Sequence, residues 1–250
     1  MPKRWQTLNQ SLSDWRNQPQ LERCHIFRHW MSEIPDHLTK LPLTQTEWQA
    51  IDQISRACDY FCTMAEIKLI PRLTHHHELI TTRHYYQGKG VYCLGEIPLP
   101  EQHQGKPASI ELAPAKITHF TLLVASAIAI LLCGNGVFMH AYHPLTKWQK
   151  SLLISLFRAL PSNLFQLTSS LSWHTIHQQP EIVGSVYIPH AEQQVTQAFQ
   201  RTLLARQETL VQQVCLAPKQ ALAQVFHPDW LYQFCVAVSV SHTNQDHPCR

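Results

Sequence analysis

Two cysteines and two histidines sit at the spacing that places side chains on one helix face. Cys58 with Cys62, and His25 with His29, are each four residues apart in segments of helical periodicity. Brought together across a helix pair, such a set is one that zinc accepts. The stretch Thr74-His75-His76-His77-Glu78-Leu79 concentrates further ligand-type side chains. Against a metal centre, the chain has no Cys-x-x-Cys and no feature that makes the two helix faces meet. Adjacent histidines on a loop also do not easily converge on one ion. These residues are read as two core cysteines, two helix-surface histidines and a solvated loop, and no metal is expected.

Phosphate chemistry leaves a different trace. A backbone cradle needs glycine where the chain approaches its ligand, yet this chain has seven glycines against seventeen histidines. It contains no P-loop and no G-x-S-x-G pattern. Gly134-Asn135-Gly136 follows an apolar helix, which makes it a helix C-cap. With 44% apolar and 15% charged residues the chain is expected to be globular. A net charge of +3 without a Lys/Arg run gives nucleic acid no footprint. Phe120 to Cys133 is an apolar run of about fourteen residues, short of the roughly twenty needed to span a bilayer, so no membrane insertion is expected. The polar start MPKRWQTLNQSLSDW is not a signal sequence, and the eight cysteines lie mostly in apolar runs. Reduced thiols and a cytoplasmic location are therefore expected.

The elements that must position any site follow from periodicity. LERCHIFRHWMSEI and TEWQAIDQISRACDYFCTMAEI read as helices, separated by Pro35 and Pro42, with Thr44 or Thr46 capping the second. ELITTRHYY and GVYCLGEI read as a hairpin joined by Gln87-Gly88-Lys89-Gly90, followed by the loop IPLPEQHQGKP. From Pro107 strands and helices alternate: SIELAP, ITHFTLLVASAIAILLC, GVFMHAY, LTKWQKSLLISLFRAL, LFQLTS, a short helix near HTIHQQP, VGSVYIP, AEQQVTQAFQRTLLAR and ETLVQQVCLA. This alternation predicts an α/β, Rossmann-like parallel sheet with helices on both faces. WLYQFCVAVSVSH adds a long final strand, and TNQDHPCR a polar tail. The expected organisation is a helical segment over 1–72, a β-hairpin flap and loop over 73–106, the Rossmann-like domain over 107–228, and a final strand and tail over 229–250. Whether Val91–Ile97 or Ser109–Pro114 opens the sheet is left undecided. With the latter, the first strand-to-helix turn is Pro114-Ala115-Lys116-Ile117, which holds no glycine.

An apolar helix ending in Gly134-Asn135, a strand, an amphipathic helix and then LPSNLFQLTS resembles the NAD-binding domain of aldehyde dehydrogenases. Carried across, that resemblance loses the family's chemistry. The family's Trp and oxyanion-stabilising Asn give way to Ala115, Lys116 and Ile117; its ribose-binding Lys falls at His140 and the following Glu at His143. Its Phe-Thr-Gly-Ser turn becomes Tyr187-Ile188-Pro189-His190. Glu208 stands where the general base would, without the two glycines that follow it in the family. Cys249 is one residue from the last and has no catalytic domain around it.

Over about the last 180 residues, GVYCLGE, LPSNLFQL, VGSVYIPHAEQQVTQAFQRTLLARQETLVQQV and LYQFCVAVSVSHTNQ resemble the C-terminal region of long proline utilization A enzymes. Those enzymes join proline dehydrogenase to pyrroline-5-carboxylate dehydrogenase. They end in a non-catalytic aldehyde-dehydrogenase-like domain that covers a substrate tunnel and contributes to association. The resemblance implies a non-catalytic structural or interaction module with no cofactor. Its partner would be itself or a proline-catabolic dehydrogenase, met through Tyr85, Tyr86, Val236, Val238 and Val240 on the flap strands. The alternative is an NAD-dependent oxidoreductase whose site survives in altered form around His140, His190 and Glu208. Seven tryptophans (Trp5, Trp15, Trp30, Trp48, Trp148, Trp173, Trp230) are read as core edges, any exposed one being a candidate partner surface.

Overall fold

The computed structural model describes residues 2–77, 80–97, 113–140, 144–168, 179, 181–189, 193–204, 212–216 and 220–243. Three helices come first: α1 (Pro2–Asn17), α2 (Gln20–Leu38) and α3 (Gln45–Lys68). Thr44 caps α3 in a capping box, its hydroxyl accepting from the Glu47 N–H while the Glu47 carboxylate accepts from the Thr44 N–H. α2 runs through Pro35 to Leu38, so the break between the two helices comes later than proline placement predicts. Then follow β1 (Arg72–His77), β2 (Ile80–Gly88), β3 (Val91–Glu96), α4 (Ala113–Leu132), β4 (Gly136–His140), α5 (Lys147–Ala159), β5 (Phe165–Thr168) and β6 (Ile182–Ile188). The chain continues as α6 (Gln193–Leu204), β7 (Gln212–Cys215), the short α7 (Ala221–Val225), a 3-10 turn at Leu231–Phe234 and β8 (Cys235–Thr243).

Five parallel strands form the main sheet in the order β5-β4-β3-β6-β7. β3 is its first and central strand. The sequence ordering around it is that of a doubly wound dinucleotide-binding sheet. Successive strand residues alternate between faces, so Glu96 and Tyr187 mark opposite sides. α4 reaches the sheet at Glu96 through His119, and α6 packs Phe199 edge-on against Tyr187. Helices therefore cover both faces. The expected strand Ser109–Pro114 gives way to helix at Ala113, and residues 98–112, which connect β3 to α4, lie outside the described residues. Pro114–Ile117 belong to the first turns of α4 and are not a strand-to-helix turn.

α4 is buried around its whole circumference from Phe120 to Leu132, lying between the sheet and α3. A helix apolar on every side belongs in a core, which explains its near-absence of charge. Its C-terminus is held by a dense set of hydrogen bonds. Gly134 takes φ +82°, the left-handed conformation that favours glycine, and donates to the Leu131 carbonyl at 2.9 Å. Asn135 N–H reaches the Ile130 carbonyl at 3.3 Å, completing a Schellman cap. Side chains from the first two helices take up the exposed carbonyls: Trp15 Nε1 donates to Leu131 at 2.7 Å, and Gln20 Nε2 and Arg23 Nε donate to Leu132 at 3.2 and 3.0 Å.

Arg23, 5% exposed, spends its other N–H groups on the carbonyls of Trp15, Arg16 and Gln18 and on Gln20 Oε1. Its charge faces the negative end of the α4 dipole. Asn135 completes the knot. Its Oδ1 accepts from Gly90 N–H at 2.9 Å, and its Nδ2 donates to Ile130 and Phe234 carbonyls at 3.1 and 2.8 Å. One buried amide thus joins the start of β3, the end of α4 and the turn leading into β8. One hydrophobic cluster runs from Leu8 on α1 through α3 and the sheet to Phe234.

The predicted hairpin between ELITTRHYY and GVYCLGEI does not form. β2 pairs antiparallel with β1 on one side and β8 on the other, while β3 enters the parallel sheet. The Gly88-Lys89-Gly90 link passes the chain between sheets. A Cβ on Gly88 would stand 2.4 Å from the Gly134 carbonyl oxygen, so side chains are excluded there by the α4 cap itself. His75, His76 and His77 lie in β1, not on a loop.

Arg23→Ala should remove about 3 kcal/mol of stability, because several buried carbonyls lose their donor. Urea denaturation monitored by circular dichroism checks this. Gly134→Ala should cost about 1 kcal/mol through its backbone conformation alone.

Candidate functional site at the strand ends and the flap sheet

In a doubly wound sheet ligands bind beyond the carboxyl ends of the strands, where the winding reverses. Here that point lies beside β3, between β4 and β6. Glu96, the last residue of β3, meets His119 Nδ1 from α4 at 3.2 Å, and each side chain is about one-fifth exposed. Ile97 N–H closes onto the Ile188 carbonyl of β6 at 3.2 Å. His140 ends β4 opposite Gly95, partly buried, and that burial lowers its pKa below 6.5. On the far side, the Tyr187 hydroxyl accepts from Gln200 Nε2 at 2.7 Å.

Of the expected site residues, only His140 lies among the described residues at this edge. His190, Glu208 and Cys249 lie outside them, as do Glu78, Trp173, the helix expected near HTIHQQP and the tail after Thr243. The Glu96–His119 pair was not legible in the sequence: the two residues are 23 apart, and their meeting requires β3 to be the central strand. A carboxylate holding an imidazole is one part of acid–base catalysis. A nucleophile and oxyanion donors are the others, and the pair does not supply them. Pro114–Ile117 is helix and not a strand-to-helix turn, so its lack of glycine says nothing about phosphate binding. The β3-to-α4 connection instead carries Gly105.

The metal set does not assemble. His25 and His29 are exposed and stacked at 6.5 Å, lining a surface cavity of about 340 Å³ with Ser155 and Arg158 of α5. Cys58 and Cys62 are fully buried in the α2–α3 seam. Among the described residues no three His, Cys, Asp or Glu side chains are grouped to hold a metal ion. No helix among them is long and apolar enough to cross a membrane. Trp15, Trp30, Trp148 and Trp230 are core residues, and Trp48 is 41% exposed.

The five flap residues lie on the β2–β8 ladder, four on one face and Tyr86 on the other. β2 and β8 are in register over nine pairs, Arg83 opposite Val240, Tyr85 opposite Val238 and Gln87 opposite Val236. Directly opposed residues share a face, so Tyr85, Val236, Val238 and Val240 form one apolar stripe, with Val236 45% exposed. Tyr86 points to the other face. It packs on Tyr232 at 5.2 Å, which in turn lies under the Lys68 ammonium at 5.1 Å. That face is polar further out, where Ser239 meets His84 Nδ1 at 2.8 Å and Thr82 meets Ser241 at 2.9 Å. Among the described residues β8 is an edge strand of this sheet.

No family model matches the chain, and no curated protein sequence matches it. Solved structures do. Proline utilization A of Bradyrhizobium japonicum, as its D779W mutant, is similar over 86% of this chain and 22% of its own length, with a TM-score of 0.63 and 12% identity. The Bdellovibrio bacteriovorus enzyme inactivated by N-propargylglycine gives 0.64 and 13% over the same shares. An NAD-dependent benzaldehyde dehydrogenase from Corynebacterium glutamicum gives 0.58 and 11%, over 82% of this chain and 43% of its own. The chain spans about a fifth of the proline utilization A proteins it matches. The matched share exceeds the last 180 residues, so it reaches into the N-terminal helices.

His140 contributes a pH dependence of known sign. Its folded pKa is depressed, so the unfolded chain binds the proton first and stability falls as pH drops below 6.5 towards the folded value. His140→Gln should flatten the stability loss between pH 6.5 and 5, read by urea denaturation at each pH. The likeness is one of fold: this chain is folded like the matched part of the proline utilization A proteins and of the benzaldehyde dehydrogenase.

Proposed function

We propose that this protein is a non-catalytic aldehyde-dehydrogenase-like module that works by association through its flap sheet, with a second copy of itself or with a proline-catabolic dehydrogenase. The observation that carries this is the nine-pair β2–β8 ladder, which leaves β8 at the sheet edge beside an apolar stripe. An edge strand of this length is a template for pairing with another strand unless something blunts it. β8 has no proline and no lysine, the usual blunting residues. Two β8 strands related by a twofold axis would continue the antiparallel sheet across both copies, each donating the same surface. The link to proline catabolism rests on the proline utilization A likeness, which is one of fold.

A second reading keeps dinucleotide binding in altered form at the strand ends. It is favoured by the 3-2-1-4-5 winding and by the placement of His140 and the Glu96–His119 pair at the reversal point. His190 and Glu208 would complete that site. The two readings part on whether a dinucleotide binds at all.

Sedimentation velocity over a range of concentrations tests the association. The protein should sediment as a dimer at micromolar concentration. Val238→Lys with Val240→Lys should weaken the dimer by about 100-fold, or ~2.7 kcal/mol, through like charges meeting at the joined edge. A monomer at all concentrations that also fails to bind a purified proline-catabolic dehydrogenase contradicts the proposal.

A further inference from the structure

Seven cysteines lie among the described residues, none of them in a disulfide, and five of them fall into two groups. In the α2–α3 seam Cys24 and Cys62 donate to one another's carbonyls at 3.6 and 3.7 Å, and Cys58 donates to the Phe27 carbonyl at 3.8 Å. These three are fully enclosed between long helices. A hydrogen bond with Cys62 together with burial pushes the Cys24 thiol far above its ordinary range. The second group is different. Cys133, just beyond the end of α4, and Cys235, the first residue of β8, both donate to the Leu231 carbonyl at 3.3 Å.

We propose that Cys133 and Cys235 are a redox-active dithiol pair, oxidised by a low-molecular-weight disulfide to a bridge that bolts the root of β8 to the end of α4. Two thiols that donate to one carbonyl oxygen are neighbours, and side-chain rotation is the motion that would join their sulfurs. The surroundings divide the roles. Cys235 is the more accessible, at 6% against 2% exposed. Its pKa is lowered by the hydrogen bond with Cys133, aided by the charges of Lys89 and Arg23, whereas burial raises that of Cys133. Cys235 is therefore the attacking thiolate.

With oxidised glutathione, the Cys235 sulfur attacks one sulfur of the reagent, its S–S bond breaks, and one glutathione thiolate leaves. Cys133, deprotonated, then attacks the Cys235 sulfur of the mixed disulfide and expels the glutathione bound there. The two protein thiols lose two protons and two electrons, and two molecules of reduced glutathione carry them away.

The test is to incubate the full native chain with oxidised glutathione, block remaining thiols under denaturing conditions and map peptides without reduction. A Cys133–Cys235 cross-link is expected. The thermal midpoint should rise by several degrees, because the bridge closes a loop of about 100 residues, and dithiothreitol should reverse the rise. Cys133→Ser should trap glutathione on Cys235, and Cys235→Ala should leave Cys133 unmodified. A Cys24–Cys62 link in its place, glutathione confined to Cys215, or no cross-link in the wild-type map overturns the proposal, whether or not the variants fold.

Discussion

The end of α4 is the point on which the rest of the structure depends. A fully buried apolar helix cannot leave its last carbonyls bare, since each unpaired group costs about 1–3 kcal/mol in a dry interior. The chain meets that demand from four directions: the Schellman turn at Gly134, Trp15 from α1, Gln20 and Arg23 from α2, and Asn135 from the start of the next strand. Satisfying one helix end therefore fixes the first two helices, the entry to β3 and the turn into β8. Arg23 meets the requirement with carbonyl and amide acceptors only, which suits the negative end of a helix better than a buried ion pair would. The flap sheet is tied to the same knot through Phe234 and through Gly88, whose missing Cβ makes room for the Gly134 carbonyl.

This arrangement bears on function. In a dinucleotide-binding enzyme the rigid parts of the sheet serve the strand ends. Among the described residues a dense knot of hydrogen bonds lies at the opposite end of the sheet, where α4 finishes and β3 and β4 begin, and the Asn135–Phe234 bond ties the root of β8 to it. A fixed root is what the proposed interaction strand would need to present its edge in one orientation. The strand ends carry a Glu–His pair and a partly buried histidine. Among the described residues these groups do not make up a complete catalytic set, and they are the basis of the alternative reading.

Much of the frame was legible in the sequence because it obeys local rules. The capping box at Thr44, the C-cap at Gly134-Asn135 and the β4–α5–β5–β6–α6 succession follow from residue type and period. The hairpin was misread because β2 and β3 are both β-rich and joined by Gly88-Lys89-Gly90, a link that local rules read as a tight turn. Only the close approach of Gly88 to the α4 cap shows that this link changes sheets. Composition leaves open whether Val91–Ile97 or Ser109–Pro114 opens the sheet, and the β3 pairings with β4 and β6 decide for the former. Arg23 and Gln20 looked like ordinary polar helix residues, since nothing local shows that they face the end of a helix more than 100 positions away. The Glu96–His119 pair was hidden for the same reason. The valine stripe, by contrast, follows from simple alternation along β8.

Whether the sheet still binds a dinucleotide separates the proposed non-catalytic module from the enzyme reading. Calorimetric titration of the purified protein with NAD+ decides between them, under conditions that detect dissociation constants to about 1 mM, or roughly −4 kcal/mol. A non-catalytic module gives no saturable heat. One-to-one binding that is lost in His140→Ala or His190→Ala would contradict it and make the strand ends a working site.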